Sequence, residues 1–226
     1  MQFTCKRFTD FVHIGDFTMK LLKTFLAKLN GITEKLVPVP LYFLTSHKIS
    51  SRITRDNCRH NDALPFPDTP IYNQYSDTVS RFRIGRCSAS YNGCASAALY
   101  NAFLCKNCPQ SFARLIFLLE TSGCLSLNGR LGTSPYRLER ILKLHPVSYS
   151  RHRSLEELEH SLCLNDAAIL FIWNDRSNLA KGAHFFTVQK QTGGYRVFNR
   201  LSPVSDTSGL ASIVGSGRFI TGYRIF

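Results

Sequence analysis

Tyr91-Asn92-Gly93-Cys94-Ala95-Ser96-Ala97-Ala98-Leu99-Tyr100-Asn101-Ala102-Phe103 is the stretch on which the reading of this chain turns. A polar, turn-prone lead-in brings a single cysteine to the head of a run of small and apolar residues. The run lacks strand alternation and is rich in alanine, the best helix former, so a helix is expected from Cys94 to about Leu104. Asn92 and Gly93 suit a helix entry, where the first N–H groups lack partners. A thiol there feels the positive end of the helix dipole, which favours the nucleophilic thiolate. The plainer alternative is that Cys94 packs as a small buried hydrophobe.

Downstream, the periodicity is helical and then changes. Pro109 to Thr121 carries Phe112, Leu115, Ile116 and Leu119 along one face, and Ser122-Gly123 stops it. A loop over Gly129 to Ser134 precedes an expected helix from Pro135 to Leu144. Ser154 with Glu157 three residues on has the capping-box pattern. Ala167 to Trp173 is a continuous apolar run suited to a buried strand. Ala183 to Lys190 and Tyr195 to Arg200 flank Gly193-Gly194 and are expected to pair as a hairpin, with a last strand over Phe219 to Phe226. Helices first and an antiparallel sheet last imply an α+β domain over residues 81–226.

Upstream, residues 1–80 read as an N-terminal extension of unassigned role. Phe17 to Leu29 has an amphipathic helical stripe, Leu36 to Leu44 reads as a proline-bearing edge segment, and residues 45–80 read as an irregular connecting region. No stretch reaches the length of apolar sequence needed to span a bilayer. Asp10 and Asp16 interrupt the first apolar run, so no secretory signal is read and a cytoplasmic, reducing setting is expected for the eight cysteines. Cys105-Lys106-Asn107-Cys108 lacks a second pair at zinc spacing, and no metal or cofactor is expected. The formal net charge is +13, of which +10 lies in residues 81–226. It is dispersed, with no block of consecutive basic residues, so specific nucleic-acid binding is not expected.

Two further residues complete a constellation. His184 opens the first hairpin strand and Asn199 closes the second. Pairing across the turn brings them opposite one another, where an Asn side-chain oxygen can hold the imidazole tautomer whose other nitrogen faces a thiol. A cysteine at a helix N-terminus, a strand histidine and a strand asparagine make a nucleophile, base and orienter in that order.

With these residues, 81–226 resembles the papain-like cysteine peptidases, and more closely the bacterial branch related to bacteriocin-leader peptidases. Asn92-Gly93-Cys94 with Ala97-Ala98-Leu99-Tyr100-Asn101-Ala102, Gly182-Ala183-His184 and Tyr195-Arg196-Val197-Phe198-Asn199 carry the likeness. The resemblance implies Cys94 as nucleophile, His184 as general base and acid, and Asn199 as orienter. The family usually places a Gln about six residues before the cysteine to help hold the oxyanion. Here that position is Ser88, which leaves Ser88 and Asn92 as candidate donors. The expected function is hydrolysis or acyl transfer on a peptide-like amide through a Cys94 thioester, with a basic rim of Arg86, Arg130 and Arg200 suited to an acidic peptide. A non-catalytic binding protein on the same fold and a basic nucleic-acid-binding protein are the alternatives.

Overall fold

The computed structural model describes residues 47–226 apart from 67, 179–180, 202–203 and 217. The helix expected over residues 17–29 and the edge segment over 36–44 lie outside the described residues. Chain order begins with α1 (Ser51–Asp62), α2 (Asp77–Ser80), a short hairpin of β1 (Arg83–Ile84) and β2 (Cys87–Ser88), and α3 (Ala89–Asn92). It continues with α4 (Cys94–Cys105), α5 (Phe112–Thr121), α6 (Glu139–Leu142), β3 (Tyr149–His152) and α7 (Leu155–Ser161). β4 (Ala167–Trp173), β5 (Ala183–Gln191), β6 (Gly194–Phe198), α8 (Leu210–Val214) and β7 (Phe219–Ile225) complete it. The fold is mixed α+β, with a five-stranded antiparallel sheet in the order β3-β7-β4-β5-β6.

β4 is apolar at every position because both faces of the sheet are covered. Ala167, Ile169 and Phe171 join the core that contains α4 and α5, while Ala168, Leu170 and Ile172 pack with Leu158 of α7 and with Leu210, Ile213 and Val214 of α8. A strand clothed on both sides has no polar face to show, so its sequence is a run rather than an alternation. Each large apolar side chain buried this way stabilises the fold by roughly 1.5–3 kcal/mol. α4 is buried from Ala95 through Phe103 and lies against β5, with Thr187 donating to the Ala98 carbonyl at 2.8 Å. Its alanines let helix and strand backbones approach closely enough for that bond.

The β5–β6 hairpin forms as expected, but its loop is Thr192-Gly193, and Gly194 belongs to the strand. A Cβ on Gly194 would lie 2.6 Å from the Thr207 carbonyl oxygen, so glycine is there for close approach rather than for the turn. Ser154 caps α7 by accepting from the Glu157 N–H. Between Pro135 and Leu142 a 3-10 turn and the four-residue α6 stand where one longer helix was expected.

The region read as an irregular connector contains α1, a full three-turn helix whose last turn carries Arg59 and His60. Its sequence is mostly polar, and the residues it buries are Thr54, Asn57 and Asn61, so no apolar stripe announced it. Asn61 exchanges two hydrogen bonds with the main chain of Arg83, at 2.8 and 2.9 Å. Asn57 donates to the Gly85 carbonyl and to Glu120. From α4, Asn101 exchanges a similar pair with Ile71, at 2.8 and 2.9 Å. Phe66 stacks on Phe112 with ring centroids 4.8 Å apart, edge-on to Phe82 and Tyr100.

Candidate active site

Cys94 is the first residue of α4, placed there by a break one residue earlier. α3 ends at Asn92, and Gly93 bends the chain while keeping its N–H on the Ala89 carbonyl at 2.7 Å. A Cβ on Gly93 would fall 2.4 Å from that same oxygen, so any side chain there requires the junction to shift. The sulfur then lies within reach of three main-chain N–H groups, those of Cys94, Ala95 and Phe185. They favour the thiolate, but burial acts more strongly and raises the thiol above its ordinary pKa. Burial thus opposes the thiolate that the helix-terminal position and these N–H groups favour.

His184, near the start of β5, shares a cleft of about 240 Å³ with Cys94. Its ring is almost wholly buried, and Nε2 lies 2.6 Å from the main-chain oxygen of Asn199. A carbonyl oxygen only accepts, so Nε2 carries the hydrogen and Nδ1 keeps its lone pair. Desolvation pulls the imidazole down to a pKa of about 4, with Arg200 adding to the effect and the Asn199 carbonyl opposing it. Burial therefore favours the un-ionised form of both side chains in this cleft, with the imidazole hydrogen on Nε2.

Asn199 reaches His184 differently from the expectation. The β5–β6 ladder ends at Thr187–Phe198, and Asn199 leaves it in the left-handed region at φ 57°. That turn points its carbonyl, not its side chain, at the imidazole. The side chain instead forms a two-bond pair with Gln74: the Gln74 N–H donates to Oδ1 at 2.9 Å and Asn199 Nδ2 donates to Gln74 Oε1 at 3.1 Å. Gln74 also donates from Nε2 to the Ser90 carbonyl at 2.8 Å. It thereby ties the residue that orients the base to the turn that presents the nucleophile. Sequence reasoning passed over Gln74 because it stands 20 positions before Cys94, in a stretch without periodicity.

Neither proposed oxyanion side chain serves as expected. Asn92 lines the cleft, but its Nδ2 donates to the Gly129 and Arg130 carbonyls, which spends both amide hydrogens on the neighbouring loop. Ser88 is bonded to the Ser90 hydroxyl and lines a different cavity, together with Arg81, Arg83 and Arg86. Gln74 is in the cleft and has one amide hydrogen beyond that given to Ser90. Of the three arginines expected at the rim, Arg130 alone lines the cleft; Arg86 is in the other cavity, and Arg200 lies over the Phe186 ring with Nε on the Ile213 carbonyl.

The seven described cysteines are free thiols. Burial pushes Cys105 up to about 11 and Cys124 up to about 12. Among the described residues, no group of three or more His, Cys, Asp or Glu is placed to hold a metal ion, and no helix is long and apolar enough to cross a membrane. Comparison with family models, with curated proteins and with solved structures found no match.

Proposed function

We propose that this chain is a thiol-dependent hydrolase or acyltransferase acting on peptide-like amides through an acyl-thioester on Cys94. One observation carries the reading: the Asn199 carbonyl fixes the hydrogen of His184 on Nε2, which leaves Nδ1 able to accept a proton, and His184 lines the same cleft as Cys94. In this mechanism Nδ1 takes the thiol proton as sulfur attacks the carbonyl carbon. The tetrahedral oxyanion is held by the Cys94 N–H, with Gln74 Nε2 as the side chain best placed to add a second donor. The imidazolium gives its proton to the departing amine, and the neutral ring then activates water, or a second amine, against the thioester. The papain-like reading draws support from the order of elements, with the cysteine heading a central helix and the histidine on a strand packed against it.

A second reading, a non-catalytic binding protein on this fold, is favoured by the raised thiol and the strongly lowered imidazole, which together disfavour a resting ion pair. Acetyl transfer from p-nitrophenyl acetate separates the two. The catalytic reading expects one acetyl mass on Cys94 and continued release of p-nitrophenol. Both disappear in Cys94→Ala, and His184→Ala slows them at least tenfold. Acetylation spread over the other cysteines, unaffected by His184→Ala, would leave the binding reading.

A further inference from the structure

The cleft has a chemical bias at the wall formed by residues 130–133. Arg130 has no carboxylate partner among the described residues, although it lines a half-buried cleft. Lys181, on the opposite loop, is already neutralised by Asp175 at 2.8 Å. Among the described residues that line the cleft, none is acidic. On the same wall as Arg130, the Thr133 hydroxyl is buried and has no hydrogen-bond partner among the described residues. A buried hydroxyl without a partner carries a desolvation cost that a bound acceptor would relieve. An unmatched guanidinium and an unanswered donor on one wall are together complementary to an anion with two oxygens.

We infer that the substrate carries a carboxylate beside the amide that Cys94 attacks, with Arg130 as its recognition residue and the Thr133 hydroxyl donating to it. The inference rests on the acyl-transfer reading of the same cleft. The carboxylate belongs either to an acidic side chain or to a free peptide C-terminus.

The test compares alkylation of Cys94 by iodoacetate and by iodoacetamide. Both form an S–CH2 bond and expel iodide, and they differ in charge. Rates are mapped to Cys94 and referred to a neutral cysteine amide under the same conditions. The expected result is a relative preference for iodoacetate of about fivefold or more at low salt, reduced as added salt screens the guanidinium. Arg130→Gln should abolish the preference, read as the ratio of the iodoacetate to the iodoacetamide rate within each protein. Rapid labelling by both reagents with the same ratio in wild type and Arg130→Gln overturns the carboxylate inference and leaves the catalytic reading standing. Slow labelling by both, no different in His184→Ala, overturns the two together. Protection of Cys94 by acetyl-Gly-Glu-Gly-amide or by acetyl-triglycine, with acetyl-triglycinamide as blank, then identifies which carboxylate is recognised.

Discussion

His184 gives its Nε2 hydrogen to a main-chain carbonyl inside the protein, so an imidazolium there would lack solvent and stand near Arg200. The unfolded chain protonates this histidine near pH 6.5, while the native chain resists until about pH 4. Between those values the unfolded state binds the extra proton, so stability rises with pH across the window and is lost on acidification, by about 3 kcal/mol over the full shift. Urea melts at pH 7 and pH 4.5 are expected to differ by most of that amount, with the difference much smaller in His184→Gln. An equal loss in the variant would assign the acid sensitivity to other groups. The raised Cys94 thiol gives a second expectation: its alkylation rate should keep climbing past pH 8. A plateau below pH 7 would instead report a thiolate–imidazolium pair. Gln74 is the third residue with a measurable role. Gln74→Ala removes the acceptor of the buried Asn199 Nδ2, while the main-chain N–H of residue 74 still serves Oδ1; the cost is about 1–3 kcal/mol, and acetyl transfer should slow at least tenfold in chains that remain folded. Unchanged acetyl transfer would make Gln74 a structural strut only.

At the scale of elements, the junction of α3 and α4 sets the position of the sulfur. Gly93→Ala places a methyl group 2.4 Å from the Ala89 carbonyl oxygen, which requires the two helices to shift apart. The expected cost is about 1–3 kcal/mol in denaturant melts, with slower modification of Cys94 because its N-terminal N–H groups move with the helix. A variant as stable and as reactive as wild type would show that the junction has slack. The start of α4 was legible in the sequence, since Asn-Gly before an alanine-rich run is local chemistry, whereas α3 before it was not expected. The capped start of α7, the β4 run and the strand carrying His184 were legible for the same reason: each is written in residues a few positions apart. α1 was not legible, because its buried face is Thr54, Asn57 and Asn61, and a polar interior face has no hydrophobic period.

Over the whole molecule, residues 71–85 are tied to the rest of the fold by asparagine side chains. Asn101 serves Ile71, Asn199 serves Gln74, Asn61 serves Arg83 and Asn57 serves Gly85. Each amide supplies a donor or acceptor to main-chain groups that would otherwise be buried unpaired, a cost native folds rarely bear. Asn101→Ala removes two such bonds and should lower stability by about 1–3 kcal/mol, with new proteolytic sensitivity near Ile71. Loss of stability without that local sensitivity would mean that Asn101 acts within α4 alone.

The sequence by itself determined where α4 begins, which runs become β4 to β7 though not β1 to β3, and that Cys94, His184 and Asn199 are to be read together. Tertiary structure decided how they are wired. It gave the orienting role to the Asn199 carbonyl, brought in Gln74 from 125 residues away, committed Asn92 to a loop, and left Ser88 in another cavity. The division has a physical cause. Helix starts and strand periods arise from interactions along a few neighbouring residues, whereas the direction of a carbonyl and the partner of an amide depend on which distant segments the packed core brings into contact.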